Sequence, residues 1–242
     1  MSETTKHYLL FEAPYLLIFL LTFFYFLFLY FVLGNLFSKT CDFLVKHKRL
    51  NLIIQEPPTL KQIHSEMSYS LGAMAIFGLI GVILIGLVRH HFFILLPDTL
   101  TNVLIGVTIL TLWNEVYFFI IHRIMHIPFM MRHFHWVHHR SIIPRVYSVY
   151  SFHWLEAFLL GCVPLTLAAF IPFPAMTLVA YPLVSILLNF AGHCNHRFGN
   201  GQGNRWFTFG TVHNSHHAKG AKKYGFALFL PDVIYTKIFN KR

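Results

Sequence analysis

Apolar residues gather in five stretches, at residues 8–33, 71–88, 99–121, 155–171 and 175–192, separated by segments that hold nearly all the charge. The first carries Glu12 and Pro14 near its start. It is too long for a signal-peptide core and has no small-x-small cleavage site behind it, so it reads as a retained transmembrane helix. The second is spaced by glycines and the third is longer. The last two form a helical hairpin around the Pro172 to Pro174 turn, each near the short limit for crossing a bilayer. The pattern predicts an all-α integral membrane protein of four to five transmembrane helices. Residues 1–109 form an N-terminal unit of membrane helices and a basic loop, and 110–242 form a histidine-rich region.

Composition agrees. Of 242 residues 56% are hydrophobic and 12% charged, about half the charge of a soluble domain. The net charge of +10 would indicate nucleic acid in a soluble chain, but membrane proteins also accumulate Lys and Arg in cytoplasmic loops. If all five stretches cross, residues 34–70, 122–154 and 193–242 share one side and carry 17 of the 19 basic residues, leaving Lys6 and Arg89 opposite. The positive-inside bias makes the richer side cytoplasmic, with no nucleic-acid partner. No repeat is present, and the glycine-rich loop Gly199 to Gly203 lacks the strand and the Lys-Ser/Thr of a phosphate cradle. Cys41, Cys194 and Cys162 show no CxxC spacing, so neither a disulfide framework nor a thiolate knuckle is indicated.

Histidine carries the chemistry, with 17 residues against nine acids. His122 and His126 stand four apart at the end of the third stretch. His135, His138 and His139 follow, then His193 and His196, then His213, His216 and His217 in the spacing of the first triplet. On a helix, positions i+3 and i+4 lie within about 60° of position i, so each triplet presents a chelating stripe, with His133 outside it. Packed as cations these side chains would repel one another; as neutral imidazoles around a divalent metal they do not. Ten clustered histidines exceed the four ligands of a structural zinc site, which points to two metals. Imidazole suits iron, zinc and copper alike. No Glu-x-x-His occurs, which excludes a ferritin-like carboxylate-bridged site, and no His-Glu-x-x-His, which excludes a zinc protease of that type.

The order Asn114-Glu115 through His122 and His126, then Pro128, then His135-Trp136-Val137-His138-His139, resembles the fatty acid hydroxylase superfamily. That superfamily includes sterol desaturases, sterol methyl oxidases and sphingolipid hydroxylases. The near abutment of the first two histidine boxes is similar to this superfamily rather than to the acyl-CoA desaturases. Thr211 to His217, Lys223-Tyr224-Gly225 and Asp232 resemble its last box and tail.

The resemblance covers about residues 110–240. It implies a membrane-embedded di-iron oxygenase that hydroxylates or desaturates a sterol or fatty acyl chain with O2, and zinc is a possible occupant after purification. His122, His126, His135, His138, His139, His213, His216 and His217 match the family's ligands, and His196 its extra histidine; His193 joins them as a further candidate. His153, with Glu156 behind it, is similar to a His-Pro-x-Glu/Asp element of some members, with Trp154 in place of the proline. No dinucleotide fingerprint or haem motif is present, so electrons require an external cytochrome b5-like or ferredoxin-like donor.

Three further residues are candidates for supporting roles. Glu115 lies two helical turns deeper than His122 on the same face and needs a partner in an apolar segment, either an arginine or a ligand histidine. Asp232 and His153 complete the set. The aromatic run Phe23 to Phe26 reads as lipid-facing or packing. A histidine-rich metal transporter or sensor is the alternative reading, but transport calls for ionisable residues within several spans, and Glu115 stands almost alone there.

Overall fold

The computed structural model describes residues 2–198, 206–219 and 223–239. The Gly199 to Gly203 loop and the basic residues Arg205, Lys222, Lys241 and Arg242 lie outside them. The structure is 72% helical with almost no sheet, and among the described residues four helices are long and apolar enough to cross a membrane: Tyr15–Lys46, Leu60–Arg89, Leu100–Met125 and Ala175–His193. They are the first to fourth spans below. Leu16, Phe24 and Leu104, each more than half exposed, belong to an apolar outer surface suited to lipid. This is a multi-pass membrane protein.

Local chemistry sets the helix ends. Thr59 and Thr99 cap the second and third spans by accepting from Gln62 N and Asn102 N, both at 3.2 Å. Pro14, in extended backbone, precedes the first span because a proline at a helix start forfeits no hydrogen bond. The stretch at 8–33 is therefore not one helix. Tyr8–Glu12 is a separate π-helical turn, while the span itself runs past Leu33 to Lys46 through a π-helical turn at Phe28–Leu33. The stretch at 155–171 also departs from a uniform span. It is broken at Cys162 into Trp154–Gly161 and Val163–Ala168, with Pro164 in the first turn of the second piece. Together these rise about 22 Å, short of a hydrocarbon core of about 30 Å.

Two short strand pairs sort the connections between the two ends of the bundle. Asn51 and Leu52 pair antiparallel with Arg197 and His196, which joins the loop after the first span to the exit of the fourth. Leu95 and Leu96 pair in parallel with Phe173 and Pro174, which joins the loop after the second span to the entrance of the fourth. The broken helix therefore carries the chain from one end to the other.

Small residues let the spans approach closely. A Cβ on Gly81 of the second span would stand 2.6 Å from Thr22 Oγ1 of the first, and one on Gly106 of the third would stand 2.6 Å from Thr177 Oγ1 of the fourth. Tyr30, Phe26, Phe77 and Tyr150 form an aromatic centre between them. Of the run Phe23 to Phe26, Phe24 faces outward, whereas Phe23, Tyr25 and Phe26 pack inward. Glu66, fully enclosed, pairs with Arg145 at 2.9 Å and accepts from Gln62 at 2.7 Å. This network ties the segment after His139 to the second span.

Candidate metal centre

All the clustered histidines lie at the end of the bundle where the third and fourth spans finish. His122 is in the last turn of the third span and His126 is its C-cap. A π-helical turn, Met131–His135, hands the chain to the short helix Trp136–His139. His193 ends the fourth span, and Thr211–Lys219 carries the last triplet.

Two groups result. His122, His126, His135, His139 and His216 form one; His138, His193, His213 and His217 form the other. Within each, one donor atom per residue lies within 4.8 Å of the rest, and eight of the nine side chains are buried. The groups abut, with the His139 and His217 rings stacked 4.7 Å apart. Each triplet sends positions i and i+4 to one group and position i+3 to the other: His135 and His139 against His138, and His213 and His217 against His216. The helical wheel places all three on one stripe, but the metal-sized groups divide that stripe.

Hydrogen bonds on the outer nitrogens fix the inner ones as lone pairs. His122 Nδ1 donates to Tyr224 O at 3.1 Å, His135 Nδ1 to Glu156 Oε1 at 2.7 Å, and His193 Nδ1 to Asn189 O at 3.1 Å. Nε2 of His122, His135 and His139 is then buried with no hydrogen-bond partner among the described residues. In the second group, Nε2 of His193 stands 3.3 Å from that of His138 and 2.9 Å from that of His213, which is 3.0 Å from that of His217. In the first, Nε2 of His126 and His216 are 3.1 Å apart. Nitrogens about 2.0–2.1 Å from one metal, at angles of 90° to 109°, stand about 2.8–3.4 Å apart. The donor set and its spacing fit a metal ion in each group.

The electrostatics favour the same state. Burial, and then the neighbouring imidazoles, hold His135, His138, His213 and His217 well below the usual histidine range. Burial followed by His216 lowers His126 to about 4 and His139 to about 3. These rings are neutral at pH 7, with lone pairs available for a cation.

The remaining candidates lie elsewhere. His196 is outside both groups, beside Cys41 and Cys194, whereas His193 is inside one; the resemblance matched His196 and gave His193 as a further candidate. Among the described residues the Glu115 carboxylate pairs with neither a histidine nor an arginine: it accepts from Ala227 N at 3.1 Å and Leu228 N at 3.1 Å, holding the C-terminal segment against the third span. Asp232 accepts from Tyr224 N at 3.0 Å and Gly225 N at 2.9 Å, and so shapes the turn whose carbonyl holds His122. His153 is the N-cap of Trp154–Gly161, accepting from Leu155 N at 3.3 Å, and packs on Phe134. Among the described residues, the carboxylate that meets a grouped histidine is Glu156. Its signal in the sequence was its position, a lone acid inside an apolar helix that requires a partner.

An apolar cavity of about 140 Å³ adjoins the histidines. Phe152 lines it and packs on His138, Phe118 lines it and packs on His122, and Asn189 lines it and holds His193. A second cavity of about 360 Å³ continues toward the far end of the bundle and shares Thr22, Phe26, Gly81, Leu84, Leu178 and Pro182 with the first.

No curated protein and no solved structure matches the chain. The sequence profile described as fatty acid hydroxylase matches residues 107–236, which contain all nine grouped histidines. With more than half its length matched, and the histidine boxes folded into two buried donor groups beneath an apolar cavity, this chain belongs to the fatty acid hydroxylase family.

Proposed function

We propose that the protein is an O2-dependent lipid hydroxylase or desaturase that works with two iron ions. The observation that carries this reading is the meeting of two abutting all-histidine groups with an apolar cavity inside a membrane bundle. His122, His126, His135, His139 and His216 hold one ion, and His138, His193, His213 and His217 the other. When bound, such a redox-active pair supplies O2 activation and the oxidising equivalents for attack on a C–H bond. Zinc satisfies the same ligands without a redox state to offer, so zinc-loaded protein would be intact and inactive.

The chain's own groups do the rest. Glu156, Asn189 O and Tyr224 O each hold a ring proton on the outer nitrogen and leave the inner lone pair for metal. Asp232 steadies Tyr224. The joined cavities, of the size that small-molecule sites occupy, take the acyl or sterol body, keep water out and present its C–H bonds to the histidine end. Residues 1–109 contribute the first two spans to the cavity wall, and residues 110–242 contribute the metal-binding region. The 17 to 2 division of basic residues makes the histidine end cytoplasmic, where a cytochrome b5-like or ferredoxin-like donor has access. The transporter alternative gains nothing from Glu115, which is spent on backbone amides rather than lining a path.

The test is a comparison of lipid extracts by mass spectrometry with and without the expressed protein, repeated under isotopically labelled O2. A hydroxylated lipid carrying label supports an oxygenase. A hydroxyl drawn from water would overturn it, and a new double bond would assign the desaturase branch.

A further inference from the structure

A third donor cluster lies apart from the nine histidines. Cys41, near the end of the first span, meets Cys194 and His196 just beyond the fourth, and one donor atom from each lies within 4.8 Å of the others. All three are enclosed, at 3%, 4% and 6% exposure. His196 Nδ1 donates to Cys194 O at 2.5 Å, which leaves the lone pair on Nε2, and that atom is buried with no hydrogen-bond partner among the described residues. The turn that aims it is held independently of the histidine groups. Asn195 adopts a left-handed backbone with φ of 59°, a conformation asparagine tolerates. Its side-chain amide clasps Ile54, donating to Ile54 O at 2.9 Å and accepting from Ile54 N at 3.1 Å.

We propose that Cys41, Cys194 and His196 bind a thiophilic divalent cation of the zinc class, at a site chemically distinct from the all-nitrogen centre. Two thiolates and one imidazole suit zinc, and three protein donors leave a fourth position for water. Binding replaces two S–H bonds with two metal–sulfur bonds and releases two protons to water, with no change of oxidation state. Metal–sulfur bonds of about 2.3 Å place tetrahedral sulfurs about 3.8 Å apart, so small side-chain rotations within the cluster close the site. The ion would staple the first span to the chain one residue past His193.

Titrating the detergent-solubilised full chain with Co²⁺ under reducing conditions tests the site without reference to catalysis. Nitrogen-only sites give no sulfur-to-cobalt charge transfer, so a near-ultraviolet charge-transfer band reports thiolate ligands. The band is expected in the wild type and in Cys162→Ser, and is lost in Cys41→Ser and Cys194→Ser. The double variant Cys41→Ser/Cys194→Ser should bind one fewer zinc per chain. If the serine variants fold poorly, Cys162→Ser decides alone, because only Cys41 and Cys194 then remain as thiolate donors. A folded chain without the band, a band that survives the double replacement, or a Cys41–Cys194 disulfide seen as a mass deficit of two hydrogens overturns the proposal.

Discussion

His135 Nδ1 donates to Glu156 Oε1 across 2.7 Å, and both side chains are almost completely enclosed. Such a bond fixes the ring's tautomer and raises the basicity of the opposite nitrogen, and its loss from comparable metal sites costs about 10- to 100-fold in metal affinity or activity. Glu156→Gln retains an acceptor oxygen and Glu156→Ala retains none. Metal retention should therefore fall in the order wild type, Gln, Ala. A Glu156→Ala protein that holds metal as tightly as the wild type would deny the carboxylate this part.

His138→Ala and His216→Ala test the crossed triplets. Each should lose metal and activity together while remaining in the membrane fraction. His138→Ala strips the group containing His193, and His216→Ala the group containing His122. Elemental analysis of the purified variants checks this, and full iron content in both would rule out the ligand assignment.

Acid should open the centre. Desolvation lowers the pKa of half-buried His126 to about 4 and of buried His139 to about 3 in the folded protein, against about 6.5 in an unfolded chain. The unfolded state thus binds more protons below pH 6.5. The stability these rings confer is complete above pH 6.5 and declines as pH falls through 4 and toward 3. Thermal melts of the metal-free protein between pH 7 and pH 3 should show the decline, and a flat profile would contradict neutral buried rings.

Leu178 lines both cavities at their junction. Leu178→Trp should narrow the passage and reduce turnover of a long lipid by about tenfold, or ~1.4 kcal/mol, with metal content unchanged. Equal turnover with the bulkier side chain would place the substrate elsewhere.

Topology can be read by labelling single cysteines introduced beside Arg140, Lys223 and Arg89. The first two should report one compartment and the third the other. Labels on Arg140 and Lys223 from opposite sides would be incompatible with a shared centre.

The spans and the ligand-bearing segments were legible in the sequence because both depend on short-range periodicity. Apolar runs mark helices wherever proline does not interrupt them, and Pro14 and Pro164 are where the simple reading failed. The triplet spacing likewise marks helical chelators. What no wheel encodes is which of the two donor groups an imidazole joins, since His135 and His138 diverge only against the surrounding helices. His193 and His196 part for a related reason: the fourth span ends between them, and the turn at Asn195 sends His196 toward Cys41. Glu115 and Glu156 are both acids in apolar helices, and only tertiary packing decides that one meets backbone amides and the other an imidazole.

The exchange of His138 and His216 between groups means that neither group is built from one triplet alone. The segments Met131–His135 and Trp136–His139 together, and Thr211–Lys219 by itself, therefore present donors to both groups, and a displacement of either would disturb both groups at once.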